Sequence, residues 1–447
     1  MPKPTRQTTE ARFVLSQRWV FCLVTAVVGV LAWQRVPPDL DWTFHVATGE
    51  AGEQHDDGGS ADAARATKRF LPNGDQASVH ASSLVSLPDG SLLAFWFGGS
   101  KEGNRDVTIR CSRFDPVNGT WSPDRMVLTT VLTQQGQRRY TKSLGNPVAF
   151  LDGNQTLWVF YVSVSLGGWS GSSANFVTSK DFGRTWSAPR KILAAPFFNL
   201  CTQLKAAPFL YADGTIGLPV HHEMGLKFCS ILRLDQDGKV LAKQRLTQGW
   251  STLQPLPLII DHSSALVLMR YASDSPPFAS PITSTTNGGR NWTPAKPSSI
   301  PNPNSALAGL TLPDGRLLVA CNDQTSVRNR LSLLVSEDHG KSWEHIYHVE
   351  QEPAFKQERM NAGDYREWLR GLLQEPLAEP VIDPEPLIER VMEESHQQAF
   401  HAPKFEYPSL TQEGEEFHLT YTWNRVRIRH FQFNQAWLED QLTNPKR

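Results

Sequence analysis

The chain has 447 residues, with 31 glycines, 31 prolines, 14 tryptophans and a formal net charge of −1. That length suffices for one large all-β domain or two or three smaller ones. The near-neutral balance excludes a dedicated nucleic-acid surface, which needs a strong basic excess, and the Gly and Pro content suits many short strands joined by turns.

At the N-terminus, Arg6, Arg12 and Arg18 precede the uncharged run Trp19–Trp33. The run is short of the ~20 residues of a membrane span, but a tryptophan at each end suits the two interfaces. Residues 1–35 are expected to form a cytoplasmic N-terminus and a hydrophobic anchor or signal. The anchor is favoured over a cleaved signal, and the rest of the chain is expected outside the cytoplasm, periplasmic or extracellular. Residues 36–76, rich in Asp, Gly, Ala and Pro, are expected to be a flexible spacer.

From residue 77 the texture changes. Ser83–Trp96, Val148–Val159, Pro208–Pro219 and Leu310–Val319 each place alternating apolar residues around an Asp-Gly turn, which predicts a hairpin. A second motif follows these hairpins. Ser179-Lys-Asp-Phe-Gly-Arg-Thr-Trp186 recurs as Ser336–Trp343, in looser form as Ser284–Trp292, and stretched as Ser112–Trp121. Asp and Ser close a turn on nearby backbone N–H groups, Gly takes positive φ, and Trp covers the hairpin. The tryptophans are 65, 106 and 51 residues apart, and Leu234-Asp-Gln-Asp-Gly238 is a decayed copy within the long interval. With closing strands near Tyr407–Phe431 this gives six units of about 50 residues, the period of a four-stranded propeller blade. The expected fold is therefore an all-β, six-bladed propeller over residues 77–434, followed by a C-terminal tail, 435–447. One segment breaks the pattern. Residues 351–399 are charged and helical, with Asp364–Glu367 resembling a capping box and Leu387, Ile388, Val391 and Met392 on one face of a second helix. They are expected to be an insertion before the last blade, either a lid or packing on its flank.

Four cysteines, Cys111, Cys201, Cys229 and Cys321, lie beyond the N-terminal segment without CxxC spacing. Zinc is not expected, nor any metal or cofactor. A Cys201–Cys229 disulfide and four buried thiols are the alternatives.

The repeated Ser-x-Asp-x-Gly-x-Thr-Trp boxes resemble the Asp-box (BNR) repeats of the sialidase superfamily. The resemblance covers residues 77–434 apart from the insertion. It implies an exo-acting glycoside hydrolase for an acidic sugar, with an arginine triad for the carboxylate, a Tyr nucleophile activated by a Glu, and an Asp acid/base. It also implies that the boxes lie away from the active site. A sugar carboxylate suits bidentate guanidinium partners.

Matched to that pattern, Arg270 resembles a triad arginine, while Gln254 stands where the Glu is expected. Tyr407, in Glu406-Tyr407-Pro-Ser-Leu410, resembles the nucleophile segment. His80 occupies the place of a first-blade triad Arg, and the loop Phe97–Asp106 holds Glu102, Arg105 and Asp106, with Asp106 or Glu102 as acid/base. Asn146, next to the basic stretch Arg138-Arg139-Tyr140, is a candidate substrate contact, and Trp169 on a Gly-rich loop is suited to stacking on a sugar. In His221-His222-Glu223 alternation points the two histidines apart, so they form no metal pair; Glu223 shares a face with His221 and is the candidate replacement for the missing Glu. In Tyr421–Arg429, Arg425, Arg427 and Arg429 are expected on one face, where Arg425 either contacts the carboxylate or joins the others in solvating an outer face. The departures at His80 and Gln254 motivate two other readings. One is a polysaccharide lyase for uronate glycans using His80, Tyr140, His222 and Arg270. The other is a glycan-binding propeller without catalysis. The partners expected are an acidic glycan and, through the N-terminus, a membrane.

Overall fold

Antiparallel hairpins need apolar alternation on both arms and a residue that accepts positive φ between them. Gly90, Gly214 and Gly315 supply it at three Asp-Gly turns, with φ of +76°, +79° and +89°. A computed structural model of the chain describes residues 19–28, 39–46, 63–74, 76–195, 199, 201–249, 251–351, 360–375, 377–379, 381, 383–396 and 402–444. They fall into two units, Met1–Asp41 and Trp42–Arg447.

In the first unit, residues 19–28 are helical. Among the described residues no helix is long and apolar enough to cross a membrane. The rest of the expected anchor, with Arg6, Arg12 and Arg18, lies outside the described residues.

The second unit is a six-bladed β-propeller, and each blade is an antiparallel sheet of at least four strands. The inner strands, in chain order, begin at Ser78, Ser143, Thr202, Thr252, Ala308 and Phe405. The last blade takes its outer strand from the start of the domain: Ala66–Phe70 pairs antiparallel with Arg427–Asn434, Lys68 opposite Phe431. The expectation of a flexible spacer over residues 36–76 therefore does not hold at 66–70, while 36–38, 47–62 and 75 lie outside the described residues. Phe44 also bridges to Tyr211 and is buried against Phe209 and Tyr211. Such short pieces carry too little alternation to be recognised alone, and Lys68 hides its strand further. Its ammonium is buried, bonded to the Val349 carbonyl and paired with Glu375 at 2.9 Å.

The boxes close turns between third and fourth strands. Ser179 Oγ donates to Asp181 (2.7 Å) and accepts from Gly183 N–H (2.8 Å), while Asp181 accepts from Thr185 N–H and Oγ1 (2.8 and 2.6 Å). Ser336, Asp338, Gly340 and Ser342 repeat this pattern, and Thr285 with Asn287 stand in for Ser and Asp in the looser copy. Each box tryptophan packs on the preceding blade: Trp186 against Phe95, Trp343 in the cluster with Leu266, Trp292 with Ile231, and Trp121 against His430. The boxes thus join neighbouring blades as well as closing turns. In the decayed copy the seam is filled from the other side, where Phe176 packs against Gly238.

The insertion folds as two helices, Ala362–Leu373 and Glu385–His396. Their apolar faces, including Tyr365, Leu369, Leu387, Ile388 and Val391, enter the core shared by blades 5 and 6. The first helix is capped by Asn361, which accepts from Asp364 N–H, so the expected box at Asp364 starts one turn late. All five cysteines are free, four of them buried, so there is no Cys201–Cys229 disulfide.

Candidate functional site

Antiparallel order separates the ends of every blade. If an inner strand starts at one end, the Asp-Gly turns and Asp-boxes fall at the other, and the loops between second and third strands return to the first. Those loops bring Glu102, Trp169, Glu223, Arg328 and Arg425 to the end where the inner strands begin. The helical insertion, which connects an outer strand to the next inner one, lies at this same end.

Four inner strands share a backbone irregularity there, and a fifth is preceded by it. Ala81, Asn146, Gln254, Asn304 and Tyr407 have φ between +43° and +55°, in five different blades. In four of these blades the strand register breaks at the same place, between His80 and Ser83, Gly145 and Val148, Leu253 and Leu256, and Glu406 and Ser409. A non-glycine residue in the left-handed region costs roughly 1–2 kcal/mol, and such strain clusters at functional sites. Here it accompanies a bulge that re-aims a side chain.

Three of the five converge on Arg270. Its Nε donates to Asn304 Oδ1 (2.6 Å) and its Nη1 to Gln254 Oε1 (3.3 Å) and to the Tyr407 hydroxyl oxygen (3.2 Å). A guanidinium has no acceptor, so it turns the carboxamide oxygen of Gln254 toward itself. The other end, Nε2, then donates to Tyr407 at 3.0 Å. Gln254 is a donor to the phenol oxygen and cannot act as its base. Among the described residues Arg270 is paired with no carboxylate.

Beside this group lies an ion cluster. Glu406 is buried; its Oε1 accepts from Arg328 Nη1 (2.7 Å) and its Oε2 from Arg425 Nε (3.2 Å). Burial alone would raise its carboxyl, but Arg425 and then Arg328 hold it well below the usual carboxylate range. Arg328 also donates to the Asn304 carbonyl, and Arg425 pairs through Nη1 with Glu102. Three guanidiniums therefore face two carboxylates. Beneath Tyr407, the buried Lys205 donates to the Pro408 carbonyl (2.9 Å) with its ammonium 5.8 Å from the Tyr407 ring centre. Burial brings its amine down to about 7.

The expected site residues separate clearly. Tyr407, Arg270, Arg425 and Glu102 come together. Asp106 does not join them: it is exposed and closes its own loop, accepting from Ser100 N–H (2.7 Å) and Oγ (3.0 Å). Arg105 is exposed, and its carbonyl accepts from Thr130. His80 is buried beside Tyr407, ring centroids 4.2 Å apart, with Nδ1 on Thr422 and Nε2 4.0 Å from Glu406. Burial and then Arg425 keep it neutral, so it supplies no cation in place of an arginine. Asn146 is buried at its bulge. Glu223 accepts from Gln203 (3.2 Å) and makes no contact with Tyr407. His221 lies toward Arg270, whereas His222 stacks on Phe228 on the other face of the sheet, which breaks up the quartet required by the lyase reading. Trp169 is half-buried, its ring against Gly145, rather than freely exposed.

The last strand also corrects its expectation. Arg425 lies in the preceding turn with φ +59°. Arg429 is buried, with Nη1 on Glu350 (2.6 Å) and Nη2 on Glu375 (2.8 Å), so it does not solvate an outer face. Sequence reasoning missed Arg328, Glu406, Asn304 and Lys205. Only Glu406, adjacent to Tyr407, left a signal; Arg328 sits in an irregular loop 78 residues from its partner.

A family profile described as BNR repeat-like domain matches residues 90–419. A comparison with curated proteins gave no match. Among solved structures the chain is similar to the Hadza microbial sialidase Hz136, with a TM-score of 0.57 and 16% identity over 80% of this chain and 65% of that one. It is similar to the NanB sialidase from Streptococcus pneumoniae, with a TM-score of 0.57 and 9% identity over 82% and 70% of the two chains. A further likeness is to Trypanosoma rangeli sialidase in complex with sialic acid, with a TM-score of 0.54 and 10% identity over 84% and 58%. The chain thus spans less than two thirds of the first and third of these proteins, and at such identities the likeness is one of fold. The profile match, over most of the propeller, is the stronger finding: the chain belongs to the BNR repeat-like domain family.

Proposed function

We propose that this end of the propeller binds a carboxylate-bearing sugar and cleaves it as a sialidase-type glycoside hydrolase. The observation that carries the proposal is Arg270, a guanidinium pinned by three neutral partners and left without a carboxylate of its own. A buried Glu at position 254 would neutralise it; Gln254 holds it in place and leaves its charge for a ligand. Arg328, sharing Asn304 with Arg270, supplies a second guanidinium. Bidentate carboxylate recognition needs this fixed donor geometry.

In this reading Glu102, at the rim with Arg425, takes up a proton from solvent once the sugar displaces that ion pair and passes it to the leaving oxygen, while the Tyr407 oxygen stabilises the anomeric cation and keeps its own proton. With Gln254 and Arg270 both donating to its oxygen, Tyr407 acts as an acceptor stabilised by those donors, without a Glu base. Asp106 has no part in the chemistry. The donor role of Gln254 also supports a second reading, carboxylate-sugar binding without turnover. Incubating the protein with fluorogenic sialosides and uronides separates them. Release of the fluorophore, lost in Glu102→Gln and Tyr407→Phe, supports the hydrolase. Binding of the same sugars without release, unchanged in those variants, supports the binding module, and neither binding nor release sinks both.

The basic-then-apolar order of residues 6–33 supports export and tethering of the propeller. Recovery of the full chain in the carbonate-washed membrane fraction tests this, and recovery in the soluble fraction contradicts it.

A further inference from the structure

Away from the charged centre, on the outer part of blade 5, three metal-ligating side chains meet. His345 and His348 lie on the outer strand Glu344–Gln351, and Asp323 lies in the loop after Leu317–Cys321. One ligand atom from each falls within 4.8 Å of the others, and all three residues are half-buried. We infer that Asp323, His345 and His348 form a binding site for a divalent first-row transition cation.

The sequence hides this site for a physical reason. Residues three apart in a regular strand point to opposite faces. Here Leu334 pairs with His345 and Leu333 with Tyr347, which leaves Ile346 as an extra residue in a bulge. The bulge restores both imidazoles to one face. Their rings approach to 3.9 Å between centroids, and His345 Nε2 lies 2.8 Å from His348 Nδ1.

That spacing says which cation fits. With metal–nitrogen bonds of about 2.1 Å, two nitrogens this close subtend roughly 85° at the metal. This is a cis angle of an octahedron or square plane, suited to Cu²⁺ or Ni²⁺ more than to tetrahedral Zn²⁺. The supporting groups are also in place. Asp323 Oδ1 accepts from Arg330 Nε (2.7 Å) and from Ser332 Oγ (2.9 Å), which orients the carboxylate and leaves Oδ2 without a donor among the described residues. Ser332 Oγ, also 3.0 Å from His348 Nδ1, keeps its bond to Asp323 when that nitrogen takes the cation. Outer hydrogen bonds of this kind fix ligand orientation.

The site has a consequence for the centre. Asp323 and Arg328 belong to one loop, in which Asn322 bonds to Ser305, to the Arg330 carbonyl and to the Phe405 carbonyl. A cation on Asp323 clamps the outer side of the loop whose inner side presents Arg328.

The test uses the full chain without an affinity tag, stripped with chelator and titrated with CuCl₂. The expected result is one high-affinity equivalent, with an electron paramagnetic resonance spectrum split by two imidazole nitrogens. His345→Gln, His348→Gln and Asp323→Asn should each weaken that equivalent by at least the roughly 10–100-fold of an outer-shell change. Their metal-free melting temperatures show whether they fold. The wild-type nitrogen splitting is a readout that requires no variant. Binding equally tight in the histidine variants, or a wild-type spectrum without two coupled nitrogens, overturns the site.

Discussion

The two ends of the propeller are built on opposite rules. At the Asp-box end, the same short motif recurs, each carboxylate is half-buried and satisfied by its own turn, and tryptophans repeat the same blade-to-blade seam. At the other end what repeats is a left-handed residue, in four inner strands and just before a fifth, and each of these carries a different side chain. One end spends its polar groups on closing turns. The other holds charged groups in fixed positions with incomplete neutralisation, and the proposed function rests on that difference.

The largest effect that can break this comparison is expected at Glu406. Removing one partner of a buried charge cluster costs about 3–5 kcal/mol. Glu406→Ala should therefore lower stability in denaturant titration by that order and abolish ligand binding, because Arg328 and Arg425 lose their anchor. A variant as stable as the wild type would show that the cluster is not a structural keystone of the site.

Arg270→Ala should separate function from stability. Losing a hydrogen-bonded charge from a binding site costs about 2–5 kcal/mol in recognition, so affinity for a carboxylate sugar should fall by about 30-fold or more while the melting temperature holds. At the opposite end, Asp338→Ala should do the reverse. Hydrogen bonds from Ser342 hold that carboxyl down at about 2, so its turn should stay intact on acidification to about that pH. The variant should melt a few degrees lower, with activity unchanged. A box variant that lost activity at unaltered stability would contradict the division of labour.

A pH-dependent effect is shared by both ends. Burial holds His80, His221, His418 and His430 neutral, His221 and His418 down at about 3. Unfolded histidines take up protons near 6.5, and these folded ones do not. Their contribution is therefore complete above about pH 6.5 and falls as the pH descends toward 3, by up to about 1.4 kcal/mol per unit for each group. Stability measured from pH 7 to pH 5 should decline, and a flat profile would show that these histidines protonate without unfolding.

What the sequence made legible follows the same divide. The boxes were readable because the contacts that close their turns are local: Ser179, Asp181, Gly183 and Thr185 satisfy one another within seven residues, so type and spacing suffice. The helices of the insertion were readable from periodicity, as Leu387, Ile388 and Val391 confirm by their burial. The site was only partly readable. Tyr407 and Arg270 could be placed by their flanking motifs, but that Glu102 and not Asp106 joins the charged cluster depends on Arg425, which meets Glu102 from the far end of the chain. The role of Gln254 needed the direction of its amide, which only Arg270 fixes. Strand Ala66–Phe70 was missed because its partner lies in the last blade.

The central claim is that Arg270 is held ready for a ligand carboxylate. Calorimetry with an acidic sugar and its neutral carboxamide, on wild type and Arg270→Ala, tests it most directly. The account predicts that the wild type binds the acid at least about tenfold more tightly than the amide, which needs about 1.4 kcal/mol, and that the preference disappears in the variant. Equal binding of acid and amide by the wild type, or a preference that survives Arg270→Ala in a folded protein, would contradict it.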